Sequence, residues 1–266
     1  MYDRFNREIN YLRVSVTDRC NLRCTYCMPE SGIKLLKHED ILTYDEIYLV
    51  VEEAVDLGIT KVRLTGGEPL VRKEVIELVR MIDNIKGIRD YSMTTNGILL
   101  EEFAKPLKDA GLQRVNISMD TTDPVKYKEI TRGGDIFRVF KGIESAGKAG
   151  LKPIKINCVV RKSPEEPDAQ SVKVYCEKNG LEIRYIPQMN LSSGYFSRVI
   201  GGEGGNCDSC NRLRLTANGM IKPCLFNDLE FSVRKLGNRE ALLQAVNQKP
   251  RSGSRNHQGR FYNIGG

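Results

Sequence analysis

Three cysteines, Cys20, Cys24 and Cys27, form a Cys-x-x-x-Cys-x-x-Cys run. Thiolates at these spacings on one loop can converge on a single metal centre, one ligand short of a closed structural zinc site. An iron–sulfur cluster held by three cysteines leaves one iron open to a substrate or cofactor. Zinc completed from elsewhere is the alternative, and of the two histidines, His38 and His257, His38 is the candidate fourth ligand. Near the other end, Cys207-x-x-Cys210 and Cys224 form a second trio, which suits an open cluster, a closed accessory cluster or structural zinc. The remaining two of the eight cysteines, Cys158 and Cys176, are isolated and read as small core residues.

Gly66-Gly67-Glu68-Pro69 directly follows an apolar strand-like run. Glycines at a strand end allow close approach of a ligand to the backbone, and the Glu68 carboxylate can accept from an amine. A tight turn between strand and helix would use the same residues. Arg212 and Arg214 alternate, so on a strand they share one face and could grip a phosphate bidentately; an exposed strand face is the plainer alternative.

Around these residues, short apolar runs at 12–16, 61–64, 91–94, 114–118, 154–160 and 182–186 alternate with amphipathic stretches. Thr43 and Glu46 predict a capping box ahead of Ile47, Val50, Val51, Ala54 and Leu57, with Gly58 ending the helix. Phe137, Phe140, Ile143 and Ala146 predict another apolar helix stripe, ended by Gly150. Strand–helix alternation of this kind predicts right-handed crossovers and a mostly parallel sheet, either an incomplete barrel or doubly wound. The pattern breaks after about 188. Residues 191–210 are rich in Gly, Ser and Asn and read as a flexible loop, a helix is expected at 238–247, and 248–266 reads as a disordered basic tail.

The balance of 41 Lys and Arg against 34 Asp and Glu gives +7, which suits anionic ligands. No apolar run of about 18 residues is present, and the first residues lack a signal peptide's apolar core, so a cytoplasmic protein without a membrane span is expected. Tryptophan is absent and aromatics are 7%, which speaks against a base-stacking nucleic-acid binder.

Together, the first cysteine loop with Tyr26 before its last cysteine, and Gly66-Gly67-Glu68-Pro69, resemble the radical S-adenosylmethionine superfamily. That resemblance implies a partial (β/α)6 barrel of α/β class, an incomplete TIM-type barrel, over 1–188, and a short C-terminal cluster-binding extension over 189–266. It implies a [4Fe–4S] cluster on Cys20, Cys24 and Cys27 whose open iron binds S-adenosylmethionine, cleaved to methionine and a 5′-deoxyadenosyl radical. Tyr26, Gly67, Glu68, Thr95, Asn96 and Ser118 would contact that cofactor, with Lys155 and Asn157 as weaker candidates.

Residues 12–20, 61–70, 116–120 and 182–186, the block from Cys207 to Cys224 and the final Ile264-Gly265-Gly266 resemble one branch, the GTP 3′,8-cyclase family of molybdenum cofactor biosynthesis. This implies a second [4Fe–4S] cluster on Cys207, Cys210 and Cys224 that anchors guanine. Arg13, Lys61, Arg63, Arg184, Arg212 and Arg214 would hold the triphosphate, Arg13 also serving catalysis, and Gly265 and Gly266 would reach into the site. Hydrogen would leave C3′ of GTP, C3′ would bond to C8, and reduction would give (8S)-3′,8-cyclo-7,8-dihydroguanosine 5′-triphosphate. Implied partners are a cyclic pyranopterin monophosphate synthase downstream and an electron donor of flavodoxin or ferredoxin type, with a homodimer as a further expectation and no nucleic acid or membrane. Radical enzymes that modify peptides also carry accessory clusters and are the rival reading. One departure stands out: only 22 residues separate Arg184 from Cys207, where the family carries a markedly longer segment.

Overall fold

The computed structural model describes residues 1–257 and 261–264. Six strands, β1 (Tyr11–Ser15), β2 (Lys61–Thr65), β3 (Asp90–Thr95), β4 (Arg114–Ser118), β5 (Lys155–Val160) and β6 (Glu182–Pro187), pair in parallel in sequence order. The helices α1 (Tyr44–Asp56), α2 (Val75–Asp83), α3 (Leu100–Asp109), α4 (Pro124–Thr131), α5 (Ile136–Ala149) and α6 (Pro167–Asn179) lie between them. This is the partial (β/α)6 barrel. The alternation within each strand separates two faces. Leu12, Val14, Val62, Leu64, Met93, Val115, Ile117 and Ile156 pack against the helices in the main core. The opposite face is polar and carries the chemistry.

Local signals explain the helix starts. Thr43 Oγ1 accepts from the Glu46 amide at 3.1 Å and the Glu46 carboxylate from the Thr43 amide at 2.7 Å, the expected capping box. Asp123 caps α4 beside Pro124, and Asp135 caps α5. The buried stripe of α5 differs from the expected one. Ile136, Val139, Ile143 and Ala146 face the core, while Phe137 is exposed and Phe140 stacks on Tyr175 at the core's edge. Residues three and four apart both share a helix face, so an aromatic pair can mimic the neighbouring stripe.

The sheet continues past residue 188. β7 (Arg212–Leu215) pairs parallel to β1 on the side opposite β2, followed by antiparallel β8 (Met220–Lys222) and β9 (Phe231–Ser232). Helices α7 (Val233–Leu236) and α8 (Asn238–Asn247) follow, α8 close to its expected place. The loop before β7 crosses the β6 edge, where Tyr185 and Ile200 form a bridge.

The described part of the tail is not disordered, which corrects the compositional reading. Lys249 and Asn256 are buried, and Leu191, Leu225, Phe226 and Ile264 form a second small core. Ser254 donates to the Phe226 carbonyl and Asn256 to that of Leu191. A handful of buried apolar and hydrogen-bonding residues thus anchors a segment whose average composition is polar. Gly265 and Gly266 lie outside the described residues.

Candidate active site

At the C-terminal edge of the parallel strands, a cleft open to solvent is lined by Cys20, Cys24, Tyr26 and Cys27 from the loop after β1. Gly67, Glu68, Thr95, Asn96, Ser118 and Asn157 line it from the following strand ends. Parallel sheets place ligands at this edge. Phe261 and Tyr262 of α9 (Phe261–Ile264) line the same cleft, so the tail contributes wall. Lys155 does not reach it and instead pairs with Glu182 at 2.5 Å.

The glycines of Gly66-Gly67-Glu68 serve a different approach from the expected one. A Cβ on Gly66 would stand 2.7 Å from the Thr17 carbonyl oxygen, and one on Gly67 would overlap the Arg19 backbone. The Gly67 amide donates to Thr17 at 2.7 Å and the Glu68 amide to Arg19 at 2.8 Å. What comes close is the chain's own cysteine loop, seated on the end of β2.

Glu68 is fully buried, yet its carboxylate accepts from Thr95 Oγ1 at 2.7 Å, the Asn96 amide at 2.7 Å and the Leu70 amide at 3.1 Å. Burial nevertheless outweighs these donors and pushes it up to about 7. Asp120, which sequence reasoning left without a role, accepts from Tyr26 Oη at 2.7 Å and from the Val159 amide at 2.8 Å. Burial raises it to about 6. It pins the cysteine loop to β5. The only prior sign of it was a lone acid just past a strand end.

The thiols are close enough that Cys20 and Cys27 raise Cys24 and Cys20 raises Cys27. Burial first, then the neighbouring charges, pushes Cys20 up to about 11 and Cys27 to about 12, and Cys24 rises further. The Leu22 amide and Asn96 Nδ2 donate to Cys20 Sγ at 3.3 and 3.8 Å. Three soft donors with amide support fit a thiolate-bound iron–sulfur centre. Among the described residues, no three Cys, His, Asp or Glu side chains converge on a single ion. His38 is exposed in a short turn and does not line the cleft, so it does not complete a zinc site.

Deeper on the same face, Arg214, Arg13, Arg63, Ser92 and Arg114 occupy register-matched positions on five neighbouring strands. Strands lie about 4.8 Å apart, so the guanidinium groups crowd. Burial, and after it the charges of Arg214, Arg63 and Arg212, pulls Arg13 well below the ordinary arginine value. Arg63, Arg184 and Arg214 are lowered too, burial again leading. Arginine keeps its proton in proteins, so the shift expresses repulsion that an anion would relieve. Tyr11 lies between Arg63 and Arg212, with their guanidinium carbons 5.3 and 5.6 Å from its ring centre. Arg114 is compensated by a bidentate bond to Asp90. The Nε atoms of Arg184 and Arg212 are buried without a hydrogen-bond partner among the described residues. Lys61 begins β2 beside Tyr11.

Topology puts the second cysteine trio at the far end of this face. β7 runs parallel to β1, so Cys207 and Cys210 precede it at the N-terminal edge of the sheet. β8 runs back, which returns Cys224 to the same edge. Burial raises Cys224, whereas Lys249, Arg212 and Arg214 bring Cys210 down against its burial. Thiols facing cations also fit a thiolate-held centre.

Fold and site thus define a class. The family model described as the Radical SAM superfamily matches residues 14–169, and the chain belongs to that superfamily. Membership brings a [4Fe–4S] cluster and S-adenosylmethionine. The chain is similar to the GTP 3′,8-cyclase of Thermodesulfovibrio yellowstonii, 40% identical, with 94% of each chain covered. That alignment spans 304 positions against 266 residues here, so the relative carries at least 38 residues that this chain lacks. In fold, the chain is similar to Streptococcus suis SuiB bound to S-adenosylmethionine: TM-score 0.65, 16% identity, 92% of this chain and 64% of that one covered. It is also similar to native anSMEcpe with bound AdoMet, at TM-score 0.63 and 17% identity over 91% and 81% of the two chains. No helix among the described residues is long and apolar enough to cross a membrane.

Proposed function

We infer that the chain is a GTP 3′,8-cyclase acting early in molybdenum cofactor biosynthesis. The observation that carries this reading is the placement of two thiol trios at opposite edges of one polar sheet face, with arginine rows between them. A five-residue strand spans roughly 15 Å, room for a nucleoside triphosphate between the trios. A triphosphate carries about four negative charges, which suits arginines that repel one another.

Cys20, Cys24 and Cys27 hold the first cluster, and Gly67, Glu68, Thr95, Asn96, Ser118 and Asn157 form the S-adenosylmethionine wall, with Tyr26 locked by Asp120. When bound, the cluster and S-adenosylmethionine supply the radical that removes hydrogen. Cys207, Cys210 and Cys224 hold a second [4Fe–4S] cluster facing guanine. Arg13, Lys61, Arg63, Arg184, Arg212 and Arg214 bind the phosphates and orient C3′ toward the first trio. Lys155, tied to Glu182, stiffens the wall. Gly265 and Gly266 are assigned to substrate binding, as the resemblance of the Ile264-Gly265-Gly266 end to the cyclase family implies. The product passes to a cyclic pyranopterin monophosphate synthase, and electrons come from a flavodoxin- or ferredoxin-type donor in the cytoplasm.

The test is an anaerobic reaction with dithionite, S-adenosylmethionine and GTP deuterated at C3′. Deuterium in the 5′-deoxyadenosine alongside cyclised nucleotide is expected. Unlabelled 5′-deoxyadenosine without cyclised product would overturn the reading and move the substrate to a peptide.

A further inference from the structure

Lys249 follows α8 in the basic C-terminal stretch, yet it is 1% exposed. A buried ammonium needs both hydrogen bonds and countercharge. Its Nζ donates to the Arg212 carbonyl at 2.7 Å and to the Pro223 carbonyl at 2.5 Å. The first lies two residues after Cys210 and the second immediately before Cys224. Among the described residues no carboxylate pairs with Lys249; its side chain hydrogen-bonds Cys210, and Cys224 and the cationic Arg7 stand near it. Two neutral carbonyls do not neutralise an ammonium, whereas Cys210 and Cys224 would supply countercharge as thiolates holding a cluster.

Arg7 completes the frame. Its Nη1 donates to the carbonyls of Cys207 at 2.7 Å and Arg251 at 2.9 Å, and its Nη2 to that of Pro250 at 2.7 Å. Asp3 compensates its charge at 2.7 Å. Every cysteine of the trio is therefore flanked by backbone that a buried cation holds, but only Lys249 lacks a carboxylate of its own.

We propose that Lys249 is a positioning residue for the second cysteine trio, joining the Cys210 and Cys224 legs and holding a fixed positive charge beside their sulfurs. This rests on the two-cluster reading above. Hydrogen bonds and net charge around a cluster set its potential, and a fixed cation favours the reduced, more negative state. Lys249 thus both helps the trio retain iron and raises the potential of what it holds.

The test uses the full chain carrying Cys20→Ala, Cys24→Ala and Cys27→Ala, reconstituted anaerobically so that only the second trio can hold a cluster. Iron per chain, resistance to a chelator and the midpoint potential by electron paramagnetic resonance are read with Lys249, Lys249→Met and Lys249→Arg. Lys249→Met is expected to shift the midpoint negative and release iron faster, while Lys249→Arg stays near the parent. An iron-loaded parent with an unchanged Lys249→Met variant would overturn the role of Lys249 alone. A parent that binds no iron would bring down the two-cluster reading and Lys249 with it. If Lys249→Met and Lys249→Gln both fail to fold while Cys207→Ala/Cys210→Ala/Cys224→Ala folds, Lys249 serves the fold independently of the trio, which also refutes the proposal.

Discussion

The two ends of the polar face solve opposite electrostatic problems. At the cleft, buried carboxylates are satisfied from within the chain: Glu68 has three donors and Asp120 has Tyr26 and the Val159 amide. Deeper on the sheet, Arg214, Arg13 and Arg63 stand side by side, and the Nε atoms of Arg184 and Arg212 lack hydrogen-bond partners among the described residues. The cleft is built to hold a loop in one shape, so that three thiols face one space. The arginine rows hold like charges together at a cost to stability that an anionic ligand offsets.

The sharpest way to break this contrast is to remove the paired arginines. Arg212→Ala with Arg214→Ala should weaken GTP binding by about 1.5–3 kcal/mol for each lost charge-assisted contact, while 5′-deoxyadenosine still forms under dithionite. Titration calorimetry with GTP reads the loss, and unchanged GTP affinity would end the phosphate-binding role.

At the cleft a smaller change should act on stability instead. Gly67→Ala forces a methyl into the Arg19 backbone, with an expected destabilisation of about 1–3 kcal/mol and faster loss of iron from the first trio. Thermal melting and a chelator challenge check it. Wild-type stability with normal iron retention would mean that the loop is free to shift.

The smallest effect belongs to the outer surface, where charges are paired. Arg234 first, and the Thr43 amide as well, holds Glu46 down at about 2, against the usual 4.5. The folded value lies below the unfolded one, so the contribution is present above about pH 4.5 and is lost as pH falls toward 2. The carboxylate is about a third exposed, so on the order of 1 kcal/mol is expected. Glu46→Gln should flatten acid unfolding over that window, and an unchanged profile would show that solvent screens the pair.

Much of this was legible along the chain. The six barrel strands, the capping box of α1, both cysteine trios and Gly66-Gly67-Glu68 carry local signals: period-two alternation, a cap three residues from its partner, and ligand spacing on one loop. Lys155 was expected at the cofactor but is held by Glu182, while Asn157, two residues on, lines the cleft. Strand alternation assigned both to one face, yet depth along the strand depends on neighbours that the alternation does not encode.

Residue types and their local periods therefore determined the cysteine loops, the strands and which arginines share a face. Only the tertiary structure decided that β7 enters beside β1 in parallel and that β8 turns back, setting the second trio at the opposite edge from the first. It alone buried Lys249 among sulfurs and carbonyls and stood Asp120 behind Tyr26. These contacts join residues far apart in the chain, and side-chain alternation fixes a face without naming the strand that will lie next to it.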